Sequence, residues 1–423
     1  MDRHHIISSR DEAGATAASG SSGWLARLCR RQVLARLGRI RQGRLMVSDP
    51  LGRMDFGPDE GHGTQLQVRD LRAYVDIAAR GTIGAAEAYM QGRWTTPDLT
   101  ALVRLMVANR HALQGIEAGL ARAATPLQRL SHWFRRNTRR QARRNIGAHY
   151  DLGNDFYALF LDPTMSYSAG IFPTPASSLE EASVHKLDVI CRKLALGPGD
   201  HLLEIGTGWG GLALHAARRF GCRVTTTTIS RRQHEFAQAR IHAAGLAGRV
   251  TVLDRDYRDL EGQFDKLVSV EMIEAVGLGF LDDYFRLCSE RLRPGGLMLL
   301  QGIVIADQLY EQARRSVDFI QKYIFPGGAL PSLGAIRAAV ARSTDLRALG
   351  LEDIGEHYAR TLREWRARFM AQLPAVRRLG YGEDFIRMWE FYLAYCEGGF
   401  LERSISDVQL LLGKPGGPLP AVA

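Results

Sequence analysis

From His201 onward the chain alternates between two hydrophobic periods, and this alternation constrains its fold more than any other feature. HLLEIG, CRVTTTTI, RVTVLDRD, FDKLVSV and LMLLQGIVI are short runs rich in apolar and β-branched residues, and they read as strands. LALHAARRF and RQHEFAQARIHAAG, which lie between the first three, read as helices. Strands separated by helices of this length predict a parallel, doubly wound sheet. One more strand, SDVQLLLG, follows only after a long, mainly helical insertion between Ala306 and Arg403. The expected fold class is α/β: a doubly wound, Rossmann-like sheet with a helical insertion over the active site, plus a small N-terminal domain.

A chain of 423 residues is long enough for two domains and a sizeable core. Residues 1–23 are polar and Gly/Ser-rich and are expected to be disordered. Residues 24–110 are expected to form the small N-terminal domain, 111–145 a basic linker and 146–423 the catalytic domain. Near the start, Leu25, Cys29, Val33 and Leu37 recur every fourth residue, interleaved with Arg27, Arg30, Arg31, Arg36, Arg39, Arg41 and Arg44. That pattern fits either a solvated helix of a small domain or a basic amphipathic helix on a membrane surface. A second acid-free stretch, Ala118 to Tyr150, carries Arg135, Arg136, Arg139, Arg140, Arg143 and Arg144. Near an anionic leaflet each arginine could contribute about 1 kcal/mol.

The formal net charge of +10 points to an anionic partner without choosing among nucleic acid, membrane and charged substrate. No recognisable nucleic-acid module accompanies the charge, and the arginines are not interleaved with a stacking platform. The five cysteines are odd in number and never form C-x-x-C, which argues against a disulfide framework or a zinc site. No metal is expected. No apolar run is long enough to span a bilayer, and the first residues lack a signal-peptide core. The expected location is the cytoplasm, peripheral to the inner face of the membrane.

The first strand runs into Leu203-Glu204-Ile205-Gly206-Thr207-Gly208-Trp209-Gly210-Gly211, a loop through which a ligand can approach the backbone closely. Glycine spacing alone also occurs in nicotinamide and flavin enzymes. Glu204 adds information, because an acid before the loop would repel a pyrophosphate but suits the cationic methionine end of S-adenosylmethionine. No acidic residue ends the second strand, where a dinucleotide enzyme would hold the ribose; Thr228, Ser230 and Gln233 stand there instead. The third strand ends in Asp256-Tyr257, an acceptor for the adenine amino group beside an aromatic face.

HYDLGNDFYALFLDPTMSYS, LLEIGTGWGGLALHAA, TISRRQ, RDYRDL, VEMIEAVG and KYIFPGG, in this order and spacing, resemble the cyclopropane-fatty-acyl-phospholipid synthase family. The likeness runs from about Asp70 to Lys414, and GTIGAAEAYMQGRW resembles the small N-terminal domain of its phospholipid-modifying members. The resemblance implies a class I methyltransferase fold and the transfer of a one-carbon unit to the double bond of an unsaturated phospholipid acyl chain, forming a cyclopropane. The partner it implies is that lipid in an anionic membrane surface; a homodimer is an open alternative to a monomer. It implies that Tyr167, Ser168, Gly206, Thr228 and Gln233 line the cofactor together with Asp256 and Tyr257, with Glu204, Gly208 and Gly210 in the same loop.

In that family the base is commonly a bicarbonate ion. The positions implied for its ligands here are Glu274, Tyr358, the amide of Ile303, Ala169 and Gln301. The last two depart from the family's cysteine and histidine, and the side chain of Ala169 can donate nothing. Two alternatives stay open: bicarbonate held by the remaining groups, or a different base. With the ligand set altered, part or all of the product is expected to be acyclic, a methyl- or methylene-branched chain. Tyr323, Phe325, Tyr358, Trp365, Phe385, Trp389, Tyr392 and Phe400 could line an acyl tunnel, although core packing produces the same helical spacing.

Overall fold

A computed structural model describes residues 21–58, 63–113 and 152–417. The six linker arginines, and residues 1–20 of the segment expected to be disordered, lie outside the described residues. The described residues divide into two compact units: 21–97 with 109–113, and 98–108 with 152–417.

The first unit is built on β1 (Arg44–Asp49), β2 (Gly52–Phe56), β3 (Gly63–Val68) and the short β4 (Trp94–Thr95), in the order β2-β1-β3-β4. Helices α1 (Ser21–Leu37) and α2 (Arg72–Met90) belong to it, and α2 kinks at Gly81, which is non-helical. The buried face of α1 is Ala26, Cys29, Val33, Leu34 and Leu37, whereas Leu25 is exposed. A strict four-residue repeat drifts around a helix of 3.6 residues per turn, so the far end of the expected stripe leaves the core face. Asp49 ties the unit together by accepting from Arg30 Nε at 2.6 Å and from Tyr74 Oη at 2.7 Å.

The second unit carries the sheet expected from the alternation. Its strands are β5 (His201–Ile205), β6 (Arg223–Thr228), β7 (Val250–Asp254), β8 (Phe264–Val270), β9 (Leu292–Ile305), β10 (Arg347–Asp353) and β11 (Ile405–Gly413). Their order is β10-β11-β9-β8-β5-β6-β7. The strands from β7 to β9 are parallel, β11 is antiparallel to β9, and β10 is antiparallel to β11. Successive residues of a strand face opposite sides, which gives the sheet two cores. Leu203, Leu267, Met298 and Leu300 pack with Phe285 and Ile336 on one face. Leu202, Val268 and Leu299 pack with Ile190, Leu212 and Ala237 on the other.

Helices α3 (Leu99–Ala108), α4 (Leu179–Lys193), α5 (Gly211–His215), α6 (Arg231–Ala243), α7 (Leu281–Arg291) and α8 (Leu333–Ser343) belong to this unit. So do α9 (Gly355–Ala371) and α10 (Glu383–Leu401), the main helices of the insertion. Trp365 of α9 and Trp389 of α10 are fully buried with Phe156, Tyr157 and Phe160, which come from the HYDLGNDFY segment. From β5 the sheet grows to β6 on one side and to β8 on the other. The crevice between β5 and β8, at the carboxyl ends of the strands, is therefore the switch point where doubly wound folds bind ligands.

Candidate functional site

The loop after β5 has left-handed backbone at Gly206, with φ of +101°. Gly206 and Thr207 both donate their amides to Thr227 O, at 3.1 and 3.0 Å, which pins the turn to β6. Gly208 and Gly210 also have positive φ. The loop is buttressed from outside: Trp209 Nε1 donates to Asn154 Oδ1 at 2.8 Å, and its ring lies 5.0 Å from that of Tyr157. The HYDLGNDFY segment thus supports the glycine loop, and Tyr157 in turn packs edge-on against Tyr167 at 5.2 Å.

Glu204 lies under this loop with 4% exposure, and its Oε2 has no hydrogen-bond partner. Burial pushes its carboxyl up to about 8, against the pull of the Thr226 hydroxyl and the Lys186 charge. An unpaired buried oxygen beside an open-backboned turn suits a cationic ligand group. At the end of β6, Thr228 Oγ1 donates to Gln233 Oε1 at 3.0 Å, and Ser230 caps α6. After β7, Asp256 is buried and gripped by Arg258, from Nε at 2.8 Å and Nη2 at 2.6 Å. Tyr257 stands beside it, edge-on to Tyr284. The structure therefore brings Glu204, Gly206, Gly208, Gly210, Thr228, Gln233, Asp256 and Tyr257 to the carboxyl ends of β5, β6 and β7.

Next to this end lies a second group of buried polar residues. β8 ends at Val270, paired with Gln301 of β9, and β11 sets Asp407 opposite Ile303 and Gln409 opposite Gln301. Three residues expected from the resemblance converge here on one that was not expected, Glu271. Ala169 N donates to Glu271 Oε1 at 2.8 Å, Gln301 Nε2 donates to the same oxygen at 2.9 Å, and Tyr358 Oη donates to Oε2 at 2.6 Å. Ile303 N donates instead to Glu274 Oε1 at 2.5 Å, and Glu274 Oε2 is buried without a partner. Gln301 Nε2 also donates to Asp407 Oδ2 at 3.0 Å, and Gln409 Nε2 donates to Gln301 Oε1 at 3.0 Å.

Burial and the Glu271 charge push the Glu274 carboxyl up to about 8. Burial, then the charges of Glu271 and Glu274, push Asp407 well above the carboxylate range. Burial also raises Glu271, but the Tyr358 hydroxyl, the Ala169 amide and the Lys186 ammonium oppose it. Three donors thus oppose burial at Glu271, whereas at Asp407 the neighbouring acids add to it. Lys186, only 2% exposed, donates to Ser168 Oγ at 2.8 Å; burial lowers its ammonium, against the pull of Glu271, Asp162, Asp407 and Glu204. Among the described residues no group of three His, Cys, Asp or Glu is arranged to hold a metal ion.

An aromatic wall adjoins the acids. Tyr167 stacks on Trp365 with centroids 5.2 Å apart, and its hydroxyl lies 2.9 Å from that of Tyr392. Trp365 meets Tyr358 edge-on at 6.1 Å, and Tyr358 stacks on Phe400 at 4.7 Å. Of the aromatics expected around an acyl chain, Tyr358, Trp365, Trp389, Tyr392 and Phe400 are buried, and Tyr323, Phe325 and Phe385 are half-buried.

Sequence reasoning missed Glu271, Asp407 and Lys186. VEMIEAVG does offer two glutamates three residues apart at a strand end, a signal for Glu271. A lysine inside a helical pattern normally reads as exposed, so Lys186 gave none.

The family described as mycolic acid cyclopropane synthetase matches residues 137–410. Tuberculostearic acid methyltransferase UfaA1 of Mycobacterium tuberculosis is 42% identical over 349 residues, 81% of this chain and 81% of that one. The cyclopropane-fatty-acyl-phospholipid synthase of Escherichia coli (strain K12) is 36% identical over 375 residues, 87% of this chain and 93% of that one. Among solved structures, mycolic acid cyclopropane synthase CmaA1 complexed with SAH and CTAB is similar, with a TM-score of 0.61 and 30% identity. That match covers 64% of this chain and 98% of the other.

Proposed function

The chain belongs to the mycolic acid cyclopropane synthetase family of S-adenosylmethionine-dependent lipid methyltransferases, and we propose that its substrate is the double bond of an unsaturated phospholipid acyl chain and that its product is wholly or partly acyclic. One observation carries this reading. The acids after β8 and on β11, half-buried Glu271 and Glu274 and fully buried Asp407, lie beside the aromatic wall of Tyr167, Trp365 and Tyr392, and the turn that carries Glu271 adjoins the glycine loop. An alkene is a weak nucleophile that offers no hydrogen bond, so such a site must act by positioning and by excluding water. An amine or hydroxyl substrate would not need an aromatic wall of this extent.

S-adenosylmethionine, when bound, supplies an electrophilic methyl group on a sulfonium. Its methionine end would lie at Glu204 and the glycine loop, its ribose near Thr228 and Gln233, and its adenine between Asp256 and Tyr257. The π pair of the alkene forms the new carbon–carbon bond and leaves a cation on the neighbouring chain carbon. The faces of Tyr167, Trp365 and Tyr392 can each stabilise such a cation by up to about 2 kcal/mol in a desolvated site. A base then removes one proton. Loss from the new methyl closes a ring, and loss from the chain or without closure leaves a branched, unsaturated product.

The acyclic outcome is supported by the departures at Ala169 and Gln301, and by the 42% identity to a relative named a methyltransferase rather than a cyclopropane synthase. Docking at an anionic membrane surface is supported by α1, which exposes Trp24 and Leu28 beside Arg27 and Arg31. No helix among the described residues is long and apolar enough to cross a membrane.

Lipids from cells with and without the protein, compared by mass spectrometry, test the substrate. A product heavier by one CH2 on an unsaturated chain is expected, and its absence would sink the reading. Cyclopropane and methylene isomers share a mass, so the upfield ring protons in NMR decide the outcome; a product entirely cyclopropane refutes the acyclic part. Salt-sensitive binding to anionic vesicles, weakened by Trp24→Ser with Leu28→Ser, tests the docking.

A further inference from the structure

We infer that the carboxylate of Glu271 is the resident base of this site, standing where the family resemblance would place a bicarbonate ion. The inference rests on the methyl-transfer reading above and names the group that completes it.

The residues present do not fit bicarbonate. Every donor proton implied for the ion is already committed to a carboxylate of the chain. The single hydroxyl proton of Tyr358 and the single amide proton of Ala169 go to Glu271. Of the two amide protons of Gln301, one goes to Glu271 and the other to Asp407. The amide of Ile303 goes to Glu274. An added anion would find each of these implied donors already taken and would face the carboxyl groups of Glu271, Glu274 and Asp407 at once.

The backbone at Glu271 points the same way. Its φ is +47°, one of only four non-glycine residues with positive φ among those described. A β-carbon is unfavourable there, and such conformations persist where the surroundings over-determine them, often at active sites. Glu271 N donates to Gln301 O at 2.8 Å, which locks the turn that sends the side chain inward among its three donors. The neighbouring Met272 lies 3.5 Å from where a β-carbon on Gly206 would sit, so the turn adjoins the cofactor loop. Three donors on its two oxygens favour the ionised form of Glu271, whereas burial and the neighbouring Glu271 and Glu274 charges push Asp407 well above the carboxylate range.

The step balances without an outside reactant. The sulfur–methyl bond breaks with its electron pair going to sulfur, and the alkene π pair forms the new carbon–carbon bond. Glu271 then takes one proton from the cationic chain and becomes a neutral carboxylic acid. The released carbon–hydrogen pair forms either a new double bond or the third side of a ring. The proton passes to water when the product leaves.

The test uses the full chain, S-adenosylmethionine and vesicles of an unsaturated phospholipid, in buffer freed of carbon dioxide and with bicarbonate restored. Wild-type turnover should be the same in both. Glu271→Gln should lose at least about 100-fold in kcat, with cofactor affinity and thermal unfolding unchanged. Glu271→Gly suits the positive φ and should fold; it should be inactive without carbon dioxide and regain about tenfold or more with bicarbonate, a loosely held base replacing a fixed one. Separately, 13C-bicarbonate NMR should show binding to Glu271→Gly and none to the wild type, whatever the lipid substrate proves to be. Wild-type turnover that collapses without bicarbonate, bicarbonate bound by the wild type, or a fully active Glu271→Gln would each overturn the assignment. A failure of lipid methylation alongside the expected binding pattern would instead count against the substrate reading.

Discussion

Two glutamates, Glu204 buried and Glu271 half-buried, lie beside the same crevice and differ in how the protein treats them. Glu204, under the glycine loop, has an oxygen with no partner and a carboxyl pushed up to about 8. Glu271, at the end of β8, has both oxygens bonded by three donors. A buried polar atom left unpaired is costly, so Glu204 depends on something that arrives from outside. Glu271 depends only on the chain. The contrast separates a binding carboxylate from a resident one, and it does so without a ligand in place.

Substituting both residues the same way sharpens that contrast most. Glu271→Gln should lower kcat by about 10²- to 10⁴-fold while leaving S-adenosylmethionine affinity within about twofold. Glu204→Gln should do the reverse: weaken the cofactor by roughly 10- to 100-fold, the worth of a charge-assisted hydrogen bond, with little change in kcat at saturation. Steady-state kinetics with calorimetry reads both. If each variant loses affinity and kcat together, the two carboxylates are one network and the comparison breaks.

The half that holds Glu204 was legible in the sequence, and the half that holds Glu271 was not. Strands β5 to β9 are short apolar runs between helices, and the glycine loop, Thr228, Gln233 and Asp256-Tyr257 follow them in an order that maps directly onto the sheet. Such a reading needs only local pattern. The acid cluster is assembled from β8, β9, β11 and α9, through pairings such as Asp407 with Ile303 that no local pattern contains. Glu271 turns inward because of one positive φ, which the letters VEM do not announce. Strand β10 was also missed, because RALGLED is an edge strand, mostly exposed, and lacks a hydrophobic period.

A pH series probes the same contrast more gently. Folding raises the Glu204 carboxyl from its ordinary 4.5 to about 8. A raised acid contributes stability that is fully present below the ordinary value and is lost as pH climbs through about 8. The cofactor-free protein should therefore melt at progressively lower temperature between about pH 5 and pH 9. Glu274 erodes stability over the same window, so Glu204→Gln should flatten the slope without abolishing it. Binding of S-adenosylmethionine needs the ionised form and should release up to one proton near pH 7, seen by calorimetry in buffers of different ionisation enthalpy. No proton release would mean that the cofactor's cationic end lies elsewhere.

Asp256 complicates the contrast, because it lies at the cofactor end and yet is already satisfied. Arg258 grips both its oxygens, and the Arg258 amide adds a third bond at 3.1 Å. A carboxylate has about four acceptor sites, so a charged grip of this kind is compatible with an adenine amino group on the same side chain. Arg258 then fixes the carboxylate's orientation rather than competing for it, and the guanidinium lies 5.6 Å from the Tyr257 ring that would stack on the base. Arg258→Met should consequently weaken S-adenosylmethionine binding by only about three- to tenfold, the scale of one net hydrogen bond. S-adenosylhomocysteine, which carries the same adenine, should weaken by the same factor, and kcat at saturation should hold. Tighter binding after the substitution would show that Arg258 blocks Asp256. That carboxylate would then resemble Glu271, an acid kept by the chain for itself.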